Sequence, residues 1–287
     1  MDIIDFHTHI MSPWAHEHRD ELSRSDPCFG MLYSNPKARL ATADELVHSM
    51  DEAGIGSSVV LNVGWSNHNM CVRTNDYLLE SASRWPQRII PFCMVQPAAH
   101  DLALRELERC ASAGARGIGE LRPDLQGYSF GDAELLAPLV DATIASGMVL
   151  LVHASEPVGH VYPGKGTVMP DQPLAFAGAF PDARLVCAHW GGGLPFYALM
   201  PEVASALANV SYDTAATQFL YRQDVFDLVA RIVGSKHILF GSDFPLIGQR
   251  RALDHVRSAK LGDTIESAIL CSNAARILNA GGATPLE

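Results

Sequence analysis

The chain has 287 residues, 48% of them hydrophobic and 18% charged, with a formal net charge of −11. That length is generous for an ordinary single domain but suits one α/β barrel, which takes roughly 250 residues and needs no disulfides to hold its core. The acidic balance argues against generic nucleic-acid binding, which requires a basic surface, and leaves room for a small anionic substrate gripped by a few local Arg or Lys.

Met1 to Phe6 carries no basic leader and runs directly into an apolar strand, so no signal peptide is read there. Short β-branched runs then recur at 2–6, 57–63, 89–95, 115–119, 148–152, 183–188, 209–213 and 237–241, with helical periodicity between them. Thr42 and Glu45 form a capping box at the start of the helix that Gly54 closes, and Gly114, Gly147 and Gly234 close later ones. Eight alternating units predict parallel strands closing into a (β/α)₈ TIM barrel spanning 1–287 as one domain. An open doubly wound sheet is less well supported, because the first strand-to-helix turn has no glycine-rich phosphate loop. Residues 10–41 and 154–173 break the rhythm as long excursions from the C-terminal ends of strands 1 and 5, where barrel active sites lie. The tail from Gly281 to Glu287 is expected to fray. No apolar run reaches the ~20 residues needed to span a bilayer. The six cysteines are scattered, without a C-x-x-C pair, which fits a reducing, cytoplasmic compartment.

The chemistry gathers at strand ends. His7 and His9 alternate at the end of strand 1, so both imidazoles aim one way. Such a pair alone is a weak metal signal. Glu120 ends strand 4, His153 strand 5, His189 strand 6 and Asp243 strand 8. Any one of these is readily explained as a strand-end residue capping the next helix. Six metal-compatible side chains at five strand ends of a barrel are not, because those ends meet on one face.

The motifs Asp5-Phe6-His7-Thr8-His9, Leu151-Val152-His153, Ala188-His189-Trp190-Gly191-Gly192 and Phe240-Gly241-Ser242-Asp243-Phe244-Pro245 resemble those of the amidohydrolase superfamily. Within it, the chain is similar to the amidohydrolase-related family that includes aminocarboxymuconate semialdehyde decarboxylase-like enzymes. The resemblance runs end to end, closing on Asn273 to Leu278. It implies His7, His9, His153 and Asp243 as ligands of a mononuclear zinc-type site and His189 as the catalytic histidine. Glu120 is a further ligand candidate. Some hydrolytic relatives bridge two metals with a strand-4 carboxylate, which would put His153 and His189 on a second ion, so one Zn²⁺ is the expectation and two the alternative. The end of strand 4 has no lysine, which argues against a carbamylated-lysine site.

A zinc-like ion lowers the pKa of bound water to about 7, and Asp243 can act as its catalytic base. Hydrolysis of a C–N, C–O or lactone bond by metal-activated water is therefore the main expectation, with Glu120 tilting toward it. Non-oxidative decarboxylation of a small carboxylic acid on the same scaffold is the alternative. A non-catalytic barrel is the third class, and it predicts a lost ligand that the sequence does not show. Arg122, His160 and Lys165 are the candidates for gripping an anionic substrate, weighed against solvated lid charges. Relatives are often homodimers, although no stripe in the sequence specifies an interface.

Overall fold

The structure is a computed structural model describing residues 2–279. The tail expected to fray lies outside these residues. Eight strands are hydrogen-bonded in sequence order: β1 (Ile4–His9), β2 (Ser57–Leu61), β3 (Ile89–Cys93), β4 (Gly117–Leu121), β5 (Val149–Val152), β6 (Leu185–Cys187), β7 (Val210–Asp213) and β8 (Ile238–Leu239). Every neighbouring pair is parallel. The ring closes just beyond β8, where Phe6 N–H donates to Phe240 O (2.7 Å), Asp243 N–H to His7 O (2.9 Å) and His9 N–H to Phe244 O (2.7 Å). The expected (β/α)₈ barrel is the fold.

Its core has two layers. Inside the barrel, Ile4, Phe6, Val59, Leu61, Ile90, Phe92, Val149, Leu151, Val186 and Leu239 pack together. The last helix, Asn273–Asn279, adds Ala274, Ile277 and Leu278 to that inner cluster. The alternate residues of the same strands, such as Val60, Ile118, Leu150 and Tyr212, pack outward with the helices. This division follows from the period of two along a strand.

The capping box at Thr42 is present in both directions, with Thr42 N–H donating to Glu45 Oε2 (2.7 Å) and Glu45 N–H to Thr42 Oγ1 (3.4 Å). The first excursion is more ordered than a long loop. It holds three short helices, Pro13–Glu17, Arg19–Ser25 and Pro27–Tyr33. Ser12 caps the first and Asp26 the third, each followed by a proline whose fixed φ suits the first helical position. Residues 154–170 form the second excursion, irregular until the helix Asp171–Ala179. Among the described residues, no helix is long and apolar enough to cross a membrane.

Candidate metal centre

Strand parity alone does not bring the polar groups together. In β1 the register slips by one residue between Asp5 and Thr8, and in β4 between Ile118 and Leu121. Such bulges re-aim a side chain. Phe6 faces the barrel interior, yet the extra residue lets His7 and His9 face it too. In β4 the slip turns Glu120 inward. His153 continues the inward series Val149, Leu151. His189 and Asp243 reach the same mouth through left-handed backbone, at φ 55° and 64°. Non-glycine residues held there cost free energy and cluster at functional sites. Two glycines make the approach possible. A Cβ on Gly241 would sit 2.9 Å from the His7 Cβ, and one on Gly192, itself at φ +61°, would sit 2.3 Å from Ser155 O.

The hydrogen bonds assign the protons. Asp213, fully buried at the end of β7, accepts from His7 Nδ1 (2.8 Å), His189 N–H (3.0 Å) and Ala215 N–H (3.0 Å). With Nδ1 held by Asp213, His7 Nε2 points inward, 3.1 Å from His9 Nε2 and 3.7 Å from Asp243 Oδ1. His9 Nε2 is also 3.7 Å from Asp243 Oδ1. Two ring nitrogens and a carboxylate oxygen converge on one point, the N/O donor set of a divalent metal. His9 Nδ1 is buried without a partner, and the ring's other nitrogen points at the spot that His7 Nε2 faces. The donors fit an ion, and the His7–Asp213 pair is the usual carboxylate support behind a ligating histidine.

Glu120 lies beside this point, with Oε2 3.9 Å from His7 Nε2 and 3.8 Å from His9 Nε2. Burial alone would raise its pKa, but His153, His189 and His7 hold it well below the usual carboxylate range. Burial pulls the His7 pKa down, and Asp213, Glu120 and Asp243 more than reverse this, lifting it to about 10 when no metal is bound. His189 places Nδ1 3.3 Å from Ala215 O and Nε2 3.3 Å from Glu120 Oε1. Both nitrogens face oxygen acceptors, so the ring keeps two protons, and its pKa rises to about 9 against the cost of burial.

His153 stands next to Glu120 at the base of the mouth. Its Nδ1 donates to Glu120 Oε1 (2.7 Å) and its Nε2 accepts from Ser155 Oγ (3.0 Å), whose oxygen takes Gly166 N–H (3.1 Å). Burial and Arg122 push its pKa down to about 4. It belongs to neither group of three converging donors, which are His7, His9, Asp243 and His7, Glu120, His189.

Above the centre lies a cavity of about 550 Å³ whose wall is mainly apolar, including Met31, Leu32, Tyr33, Phe219, Leu220 and Leu246. His9, Glu120, His153, His189 and Asp243 form its base, and Arg122 and His160 also line it. Arg122, expected to grip substrate, is buried at the cavity wall. It donates from Nη1 to Gly164 O (2.9 Å) and from Nη2 to Asp124 Oδ2 (3.2 Å). Lys165 is not among the lining residues. Its ammonium bonds Val158 O (2.9 Å) and His160 O (3.2 Å), tying its own loop. The residue that sequence reasoning missed is Asp213. The signal was present: in Val-Ser-Tyr-Asp the apolar residues point outward and the strand ends on an inward carboxylate.

A family model described as amidohydrolase matches residues 4–280. Among curated proteins, 2-keto-4-carboxy-3-hexenedioate hydratase of Sphingobium sp. strain SYK-6 is 26% identical over 219 residues, 66% of this chain and 62% of that protein. The chain thus spans under two thirds of the relative's length. Among solved structures, 5-carboxyvanillate decarboxylase from Sphingomonas paucimobilis superposes with a TM-score of 0.78 at 17% identity, over 96% of this chain and 98% of that one. A 2,6-dihydroxybenzoate decarboxylase from Rhizobium gives 0.76 at 18%, over 98% and 99%. Dihydroxybenzoic acid decarboxylase from Polaromonas sp. JS666, with bound manganese and the inhibitor 2-nitroresorcinol, gives 0.74 at 19%, over 96% of each.

Proposed function

Because the chain belongs to the amidohydrolase family, we propose that it is a divalent-metal-dependent enzyme that decarboxylates a small aromatic acid without an oxidant. The observation that carries this reading is the placement of a doubly protonated His189 beside the converging His7, His9 and Asp243, beneath an apolar-walled cavity. Non-oxidative decarboxylation needs a flat hydrophobic slot for a ring and an acid that delivers one proton to carbon. The related solved structures named for aromatic-acid decarboxylation support it over hydrolysis. Glu120, which tilts the sequence reading toward hydrolysis, is engaged by His153 and His189.

His7, His9 and Asp243 would hold the ion, with Asp213 behind His7. When bound, the ion supplies positive charge that orients and polarises the substrate's oxygens. One ion suffices: both groups of converging donors use His7, which has only Nε2 free. The N/O donor set accepts zinc or manganese. His189 gives its Nε2 proton to the ring carbon that bears the carboxylate. The C–C bond then breaks, its electron pair returns to the ring, and CO₂ leaves. Glu120, 3.3 Å away, restores the positive charge on His189 by holding the next proton there. The apolar wall keeps water from competing for the proton. A reducing, cytoplasmic setting suits the six free cysteines.

The test is a panel of hydroxybenzoic acids, lactones and amides with enzyme loaded with Zn²⁺ or Mn²⁺. CO₂ and the matching phenol are expected from an aromatic acid. Proton release from a lactone or amide, with no CO₂ from any acid, would return the chain to hydrolysis.

A further inference from the structure

Of the three side chains expected to grip an anionic substrate, Arg122 and His160 line the cavity, Arg122 also bonding Gly164 O and Asp124, while Lys165 holds two loop carbonyls. Lys37 and Arg39 also line the cavity, and among its neutral donors one stands out. Tyr33, the last residue of the helix Pro27–Tyr33, lines that cavity and is 8% exposed. Among the described residues its hydroxyl has no hydrogen-bond partner, and it is not one of the sealed polar atoms, so it opens onto the cavity.

Its position is fixed from two sides. The ring packs on Phe29 with centroids 4.9 Å apart, and Phe29 in turn stacks on Trp65 at 5.3 Å. Its carbonyl accepts from Arg19 Nε at 2.8 Å. Burial raises the phenol's pKa far above its ordinary value, and the charges of Asp243, Cys28 and Glu120 add to this. The group is therefore a neutral donor at any working pH, within the field of the carboxylates that frame the metal centre. A hydroxyl that faces a cavity and has no partner within the protein is free to donate to an acceptor on a ligand.

We propose that Tyr33 is a substrate-binding residue whose phenol donates a hydrogen bond to an anionic oxygen of the bound acid, a carboxylate or a phenolate. This rests on the cavity being the site for a small aromatic acid. Because the donor stands on the first excursion rather than on a barrel strand, that excursion sets which oxygen pattern is accepted.

Tyr33→Phe removes one oxygen and keeps the ring on Phe29. Binding of benzoate, phenol and 2-hydroxybenzoate to the metal-loaded wild-type and Tyr33→Phe proteins is measured by titration calorimetry, with thermal unfolding alongside. The expected result is unchanged unfolding and a Kd raised about tenfold or more for the probes bearing the recognised oxygen. The benzoate and phenol arms tell whether that oxygen is the carboxylate or the ring oxygen. Equal affinities within twofold for every probe would overturn the proposal, as would wild-type protein that binds none of them. A KM shift is read on any acid that turns over. CO₂ release with equal KM in both proteins would sink the Tyr33 role and leave the decarboxylase reading standing. Probe binding that weakens in the variant, with no CO₂ from any acid, would do the reverse.

Discussion

Asp213 decides what His7 is able to do. By accepting from Nδ1 at 2.8 Å it fixes the ring's orientation and turns Nε2 toward His9 and Asp243. It also receives the backbone N–H of His189, so one carboxylate orients a proposed ligand and the proposed acid together. Asp213→Asn should therefore weaken metal binding by about 10–100-fold, read by competition with a chelating dye, without removing any donor atom from the centre. Affinity within twofold of wild type would deny Asp213 its orienting part. His189 should behave in the opposite way. His189→Asn is expected to lower the rate by roughly 10²–10⁴ while one equivalent of metal stays bound, measured by atomic emission on purified protein. Half of the metal lost with His189 would show that it ligates a second ion instead.

At the scale of elements, much of the barrel was legible because its signals are local. Each expected strand overlaps an observed one, and the capping box and glycine stops lie where the sequence puts them. The strand-end rule found His7, His9, Glu120, His153, His189 and Asp243 around one cavity base. What it could not give was the reason they converge. The bulges in β1 and β4 reverse parity, and the left-handed turns at His189 and Asp243 re-aim residues that a plain strand would send elsewhere. These depend on neighbouring strands, which a single sequence does not display. The pairing of His153 with Glu120, and the burial of Arg122 on Gly164 and Asp124, were hidden for the same reason. The short helices of the first excursion were missed because each has fewer than two full turns of periodicity, although Ser12-Pro13 and Asp26-Pro27 mark their starts. The turn after His189 offers a test at this scale. Gly192→Ala should cost about 1–3 kcal/mol in chemical denaturation, because the new Cβ meets Ser155 O in left-handed backbone. Gly178→Ala, within the helix Asp171–Ala179 with nothing near the added carbon, should instead stabilise by about 0.5–1 kcal/mol. The same sign for both would mean that the close approach to Ser155 does not govern the turn.

At the scale of the whole molecule, the metal centre links folding, pH and metal binding. Without metal, the buried carboxylates of Asp213, Glu120 and Asp243 lift the His7 pKa to about 10, and Glu120 lifts that of His189 to about 9. Both exceed the ordinary value near 6.5. The folded protein then holds these protons more tightly than the unfolded chain does. Their stabilising contribution is complete below about pH 6.5 and is lost as the pH rises through 9 and 10. The metal-free protein should accordingly unfold at lower temperature at each step from pH 7 to pH 10. In the loaded protein His7 Nε2 carries no proton, so its share of that decline vanishes. Binding must displace the proton, and the apparent metal affinity should keep rising with pH toward 10, by up to about tenfold per unit for one proton released. Because a ligand that binds only the folded state stabilises in proportion to the logarithm of its concentration over Kd, the gap in melting temperature between loaded and metal-free protein should widen between pH 7 and pH 9 at fixed free metal. A histidine with an ordinary pKa would give a gap that levels off above about pH 7.5. A level gap would mean that the three carboxylates do not act on His7 as the geometry requires, and a widening one would tie the fold's alkaline limit to the same side chain that receives the ion.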